Sequence, residues 1–295
     1  MITPLPVYSQ KKLSKLRDCL LDRLGNCDLC PRRCRINRLK GEKGFCQTGR
    51  FAVVSSAFLH FGEEKELVGR GGSGTIFFAN CNLKCIYCQN YDISHLGEGR
   101  EVTADELAQI MLTLQAQGAE NINFVTPTHV VAQLVEALCI AVNEGLSLPL
   151  VYNSGGYDSG DVLRLLDGIF DIYMPDMKYS SNEVAEELSA VLQYWDVAKE
   201  ALKEMYRQVG DLKIEGGVAK KGLLVRHLVL PSRLGGSFAV LDFIKEVSPS
   251  ACVNIMEQYH PCYEAYKVKE LRRRITSDEY REVLLYARKI GLKVI

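Results

Sequence analysis

The chain has no charge bias: 36 Lys and Arg balance 36 Asp and Glu over 295 residues, for a formal net charge of zero. A polyanion-binding surface draws on an excess of cations and no long basic tract appears, so no nucleic-acid partner is expected. Long apolar runs are missing too. No stretch approaches the roughly 18 residues that a membrane helix requires, so no membrane partner is expected. Residues 1–26 carry Lys11, Lys12, Lys15, Arg17, Asp18, Asp22 and Arg23 without an uninterrupted apolar core, and do not read as a signal peptide. The glycine run Gly69-Arg70-Gly71-Gly72-Ser73-Gly74 lacks the G-x4-G-K-[ST] order of a phosphate loop and reads as a flexible lead into a strand.

Cysteine, by contrast, is plentiful. Eleven residues, an odd and clustered set, argue for a reducing cytoplasm and for metal binding over disulfides. Cys81, Cys85 and Cys88 form a C-x3-C-x2-C run directly after the apolar segment 75–79. Three soft thiolates on one loop are one ligand short of a closed tetrahedral site, and an open position is what a site of chemistry keeps. Upstream, Cys27, Cys30, Cys34 and Cys46 can close a tetrahedral site by themselves, holding either structural zinc or an iron-sulfur cluster. Cys19, Cys139 and Cys252 read as packed core thiols, and Cys262 as structural.

Apolar spacing predicts a helix over 11–24, then strands at 75–79, 121–125, 149–153, 171–177, 223–230 and 252–259. Helices are expected between them at 103–117, 130–143, 161–166, 182–209 with a break and 238–247, and a last one at 277–290. Capping boxes open at Thr103 and Thr276, and Gly118, Gly145, Gly168 and Gly291 stand where helices end. Alternation of this kind implies parallel strands with right-handed crossovers, an α/β partial (β/α)6 barrel over 71–295 behind a cysteine-rich metal module over 1–70. In such a barrel the chemistry gathers at the C-terminal strand ends. There the sequence puts the three-cysteine loop, then Thr126 to His129, Asn153 to Gly156, Asp176 with Lys178, and His260. Arg226, a charge near the middle of an apolar strand, needs a partner or a ligand.

Cys81-Asn82-Leu83-Lys84-Cys85-Ile86-Tyr87-Cys88, with its aromatic before the last cysteine, resembles the signature of the radical S-adenosylmethionine (SAM) superfamily. Together with the segments V-T-P-T-H-V, Y-N-S-G-G-Y-D-S and I-Y-M-P-D-M-K-Y, it resembles the activating enzymes of pyruvate formate-lyase and their relatives. The resemblance implies a partial barrel in which Cys81, Cys85 and Cys88 hold a 4Fe-4S cluster and SAM binds the open iron. SAM is then split to a 5'-deoxyadenosyl radical that abstracts hydrogen from a substrate. It also implies an electron donor such as flavodoxin or ferredoxin, and a protein substrate bearing a glycine.

Carried over by position, the resemblance assigns SAM contacts to Tyr87, Asn153, Gly155, Asp176, Lys178, Arg226 and His260, with Lys178 and Arg226 also facing the reaction. The Gly-Gly-Glu that follows the second strand in that family is replaced here by Thr126-Pro127-Thr128-His129, so Thr126 and His129 are the expected amino-group ligands. Other readings are a peptide- or metabolite-modifying radical enzyme, or a non-catalytic zinc-binding interaction protein.

Overall fold

In the computed structural model, which describes residues 10–295, the parallel strands are added to the sheet in chain order, each beside the one before. The chain opens with helix α1 (Gln10–Asp22), whose Leu13, Leu16 and Leu20 are fully or nearly buried. A 3-10 turn carries Leu24 into the same core, and the cysteine module follows. Residues 1–9, part of the segment with no signal-peptide character, lie outside the described residues.

Strand β1 (Ala52–His60) precedes the short helix α2 (Lys65–Val68) and strand β2 (Ser73–Phe78). After the cysteine loop come α3 (Tyr91–Ser94), β3 (Arg100–Val102), α4 (Ala104–Ala116), β4 (Ile122–Val125) and α5 (Val131–Asn143). Next are β5 (Leu150–Ser154), α6 (Gly160–Leu165), β6 (Ile172–Pro175), α7 (Asn182–Ser189) and α8 (Tyr194–Val209). The chain closes with β7 (Lys213–Glu215), β8 (Val218–Leu228), α9 (Ser237–Val247), β9 (Cys252–Met256), α10 (Ser277–Lys289) and β10 (Lys293–Val294).

The parallel series runs β2-β4-β5-β6-β8-β9-β10, with α4 packed against β2 and β4 and α8 against β6 and β8. Antiparallel β1 and β3 extend it beyond β2. The sheet is not closed: among the described residues its terminal strands β3 and β10 do not pair. Both capping boxes form as expected, Thr103 with Glu106 and Thr276 with Glu279. Gly118, Gly145, Gly168 and Gly291 all have positive φ, as helix ends require.

The lumen of the sheet is filled from below by the segment that joins β1 to β2. Leu67 of α2 is fully buried among Val151, Ile172, Met174, Ala219 and Leu224, the inward side chains of β5, β6 and β8. Burying such a leucine contributes about 2 kcal/mol. The glycine run is a packed turn here, not a loose lead. A Cβ on Gly71 would stand 1.9 Å from the Gly118 carbonyl, so the chain enters β2 by a backbone contact only glycine permits.

Several elements differ from the sequence expectation. Residues 52–60 form a full antiparallel strand, and β8 begins at Val218, five residues earlier than apolar spacing suggested. Arg226 therefore lies near the C-terminal end of its strand and not at the middle. β7 forms a hairpin with β8, and the helical pair expected before it is α7 and α8. Cys19 is exposed rather than packed, because it lies off the leucine face of α1, whereas Cys139 and Cys252 are buried as expected.

Candidate active site at the strand ends

β2 delivers the chain to Ala79, and Asn80 turns it with φ +69°, a left-handed conformation that asparagine tolerates. The cysteine loop is then pinned from behind. Lys84 N–H donates to Ser189 O and Ile86 N–H to Leu188 O, each at 2.9 Å, tying the loop to the end of α7. Each thiol also accepts a hydrogen bond: Cys81 from Leu83 N–H at 3.3 Å, Cys85 from Ser189 Oγ at 2.9 Å, Cys88 from Ser94 Oγ at 3.1 Å. Behind Ser189 the buried Tyr179 and Tyr87 hydroxyls continue the chain, Tyr179 at 2.6 Å from Ser189 and Tyr87 bonded to Tyr179. Burial pushes the Cys81 thiol up to about 12 and raises Cys85 as well.

These three sulfurs line a cavity of about 150 Å³. Its opposite wall is made by Thr126, Asn153, Gly155, Asp176, Lys178 and Arg226, one or more from the end of each of β4, β5, β6 and β8. Asp176 is the electrostatic centre of that wall: its Oδ1 accepts from Arg226 Nε at 2.9 Å and its Oδ2 from Lys178 Nζ at 2.6 Å. Arg226 also donates to Asn153 Oδ1 at 2.8 Å. Burial works against all three charges, and their mutual attraction outweighs it, so Asp176 stays below the usual carboxylate range while Lys178 and Arg226 are held above theirs. The third guanidinium nitrogen, NH1, faces Glu63 and Glu64, both at 3.9 Å. Both are buried, and burial, partly offset by Arg226, raises Glu63 to about 7.

The loops after β4 and β5 are fastened to each other by the buried Asp158. It accepts from Thr128 Oγ1 at 2.6 Å, Ser154 Oγ at 2.6 Å and Tyr152 O–H at 3.0 Å. Thr126 N–H donates to Asn153 O at 2.8 Å while holding φ at +62°, a strained conformation for a β-branched residue. Gly156, at φ +78°, sits so close to the next strand end that a Cβ would stand 2.2 Å from the Asp176 carbonyl.

The structure thus brings together Cys81, Cys85, Cys88, Thr126, Asn153, Gly155, Asp176, Lys178 and Arg226 around one cavity. Asp176 and Lys178 are a largely buried pair. Three expected SAM contacts are not among the side chains lining this cavity. Tyr87 is buried behind the cysteine loop, and His260 is at its rim, Nδ1 3.2 Å from Gln89 Nε2. His129 points to the cysteine module, since the Thr126 turn carries it away from the cavity mouth. Ser94, Ser189, Glu63 and Glu64 were not singled out from sequence. Glu63 and Glu64 stand in a short charged segment with nothing in the sequence to tie it to Arg226, and the serines carry no local signal.

Cys27, Cys30, Cys34 and Cys46 line a second, small cavity of about 10 Å³ with Arg32, Arg38 and His129. Burial, with the neighbouring thiols adding to it, pushes Cys30 up to about 12. Among the described residues no three His, Cys, Asp or Glu side chains converge on a single ion position. The triplet offers three soft thiolates on one cavity wall with a donor to each sulfur, a donor set that fits a multi-iron cluster taking one iron per sulfur.

Among the described residues, no helix is long and apolar enough to cross a membrane. Residues 75–214 match the family model described as the radical SAM superfamily. An uncharacterized protein of Methanocaldococcus jannaschii is 34% identical over 280 residues, spanning 92% of this chain and 76% of that protein. The pyruvate formate-lyase-activating enzyme of Clostridium pasteurianum is 28% identical over 131 residues, 42% of this chain and 54% of the enzyme. In fold, the chain is similar to methylornithine synthase, with a TM-score of 0.50 and 13% identity, covering 97% of this chain and 71% of that one. It is also similar to a radical SAM methyltransferase from Sphaerobacter thermophilus, with a TM-score of 0.50 and 13% identity, over 76% of this chain and 65% of the methyltransferase. With the three-cysteine loop at the end of the first parallel strand and a charged wall across the cavity from it, the chain belongs to the radical SAM superfamily.

Proposed function

We propose that this chain is a radical SAM enzyme that uses Cys81, Cys85 and Cys88 to hold a 4Fe-4S cluster. The reading rests on one observation: three thiols, each with its own hydrogen-bond donor, share a cavity with the Asp176–Lys178–Arg226 triad. When bound, the cluster and SAM together supply a 5'-deoxyadenosyl radical for hydrogen abstraction. The residues of the chain bind and orient. Lys178 and Arg226 offer the cationic wall for the SAM carboxylate, while Thr126, Asn153 and Gly155 line the side where its amino group and sugar would lie. To His260, held by Gln89 one residue beyond Cys88, we assign the adenosyl rim.

The partial likeness to a pyruvate formate-lyase-activating enzyme supports a glycine in a partner protein as the substrate. The wider range of chemistries among proteins of this fold leaves a peptide or a metabolite as the second reading. The reductant would be a one-electron donor of the flavodoxin or ferredoxin kind.

Anaerobic reconstitution with iron and sulfide, then reduction and addition of SAM, tests the proposal by the formation of 5'-deoxyadenosine. Cleavage is expected with the wild type and lost when Cys81, Cys85 and Cys88 are all replaced by Ala. Zinc at both cysteine sets and no SAM cleavage would overturn it in favour of a binding protein.

A further inference from the structure

The inner face of the sheet holds polar groups that the cavity wall leaves unused. Strand register puts Phe58, Thr75, Asn123 and Val151 in one row across β1, β2, β4 and β5, and Val151 packs on Leu67 in the lumen, so the row faces inward. Four of the seven buried side-chain polar atoms without a hydrogen-bond partner among the described residues lie on this inner side: both amide atoms of Asn123, His60 Nδ1 and Glu64 Oε2. Asn123 is fully buried, and the Glu64 side chain is 6% exposed. Polar atoms buried in this way are costly unless a partner meets them.

Glu63 and Glu64 also carry more charge than the chain answers. Around Arg226 three carboxylates, Asp176, Glu63 and Glu64, meet two cations, Arg226 and Lys178. Asp176 takes the short contacts with both cations, at 2.9 and 2.6 Å, whereas the two glutamates stand 3.9 Å from Arg226 NH1. Asn254 Nδ2 donates to Glu64 Oε1 at 2.9 Å, and His60 Nδ1 lies 3.5 Å from Glu63 Oε1. In the chain alone a proton answers the excess, since burial raises Glu63 to about 7. A ligand cation is the other way to answer it.

The approach to these carboxylates is aromatic. Phe58 and Phe77 stack with ring centroids 5.6 Å apart and planes at 22°, and His60 stands edge-on to both. Phe58 is 42% exposed and the His60 side chain 30%, so this side of the lumen reaches solvent. One row further along the strands Phe77 pairs with Val125 and Val125 with Asn153, and the latter two line the cavity of the three cysteines. The aromatic face and the two glutamates therefore adjoin the SAM wall, through Val125 and Arg226. Apolar rings leading to buried carboxylates suit an organic cation, its hydrocarbon along the rings and its charge at the end.

We propose that this inner face binds a substrate bearing a primary ammonium group, its charge on Glu63 and Glu64, its alkyl chain along Phe58 and Phe77, and Asn123 offering the same molecule a donor and an acceptor. This names the class of substrate and rests on the radical SAM reading for the reaction that the substrate undergoes.

The test is a ligand-detected NMR titration of the full chain, reconstituted anaerobically and kept oxidised so that SAM is not cleaved. Pentylamine hydrochloride, 1-pentanol and sodium pentanoate are the probes. Pentylammonium is expected to bind about tenfold more tightly than either of the others, with SAM present as well as absent. Glu64→Gln evens the carboxylates and cations around Arg226, so it is expected to keep or raise the melting temperature and to lose the preference. Phe58→Ala, at a half-exposed position, serves where Glu64→Gln fails to fold, and is expected to weaken pentylammonium about threefold. Equal binding of the three probes, tighter binding of pentanoate, displacement of the amine by SAM, or a folded Glu64→Gln variant that keeps the preference would each overturn the proposal. Formation of 5'-deoxyadenosine by the same preparation, once reduced, is read separately: cleavage without a preference for the amine removes this site and leaves the enzyme reading standing.

Discussion

Asp176 and Arg226 lie at the ends of neighbouring parallel strands and meet through a 2.9 Å hydrogen bond that forms one wall of the cavity opposite the cysteine loop. Because both are largely buried, losing either one strips the other of its nearest countercharge, leaving Asp176 with Lys178 alone or Arg226 with the more distant Glu63 and Glu64. Asp176→Asn is expected to destabilise the fold by about 3–5 kcal/mol in urea unfolding and to weaken SAM binding in calorimetry. Asp176→Asn combined with Arg226→Met should cost less than the sum of the two, and strict additivity would show the pair to be uncoupled.

Ser189 acts on the sulfur of Cys85 from a helix end. Ser189→Ala removes the 2.9 Å hydrogen bond to Cys85 and breaks the hydroxyl chain that runs back to Tyr179 and Tyr87. The expected loss of stability is about 1 kcal/mol. In the reconstituted protein the midpoint potential of the catalytic cluster should fall, because a donor that stabilises the extra electron is gone. An EPR-monitored redox titration reads the shift.

Gly156 has no space for a side chain. Gly156→Ala would drive a Cβ into the Asp176 carbonyl and oppose a φ of +78°, so more than about 1 kcal/mol of stability is expected to be lost. The larger effect should fall on SAM affinity, since Asp176 and Gly155 line the same cavity. A variant that binds SAM as well as the wild type would show the two strand ends to be independently mobile.

Glu63 gives the fold a pH dependence. Burial raises its carboxyl from an ordinary 4.5 to about 7. Below about 4.5 the folded and unfolded chains are both protonated at this residue, and above about 7 both are ionised; between those values the folded chain holds the proton and the unfolded chain releases it. The contribution of Glu63 to stability therefore falls as pH rises through that window. Melting temperatures of Glu63→Gln should be flatter than those of the wild type from pH 4.5 to 7, and equal slopes would assign the dependence to another group.

The parallel strands, the two capping boxes and the three-cysteine loop were legible because each is written in a short span: apolar periodicity, a Thr with Glu three residues on, a fixed spacing of thiols. Arg226 was legible as an anomaly, a charge in an apolar strand, but its partners were not, because Glu63 and Glu64 reach it from a segment far earlier in the chain. The same limit hid the β1 pairing, whose only local trace is an apolar run, and the seating of Leu67 in the lumen. His129 was placed on the correct loop but on the wrong side of it, because the left-handed turn at Thr126 is a conformation that sequence does not suggest for a β-branched residue.

The sequential order of the parallel strands fixes the order in which a growing polypeptide can assemble the site. β2 and the cysteine loop emerge early, and each later unit adds to an edge already formed. The cationic wall is completed only when β8 brings Arg226 beside Asp176. Until then the cavity that the three thiols line lacks that side of its wall. A chain halted before residue 226 would carry every sulfur of both sets and still lack the guanidinium that completes the wall.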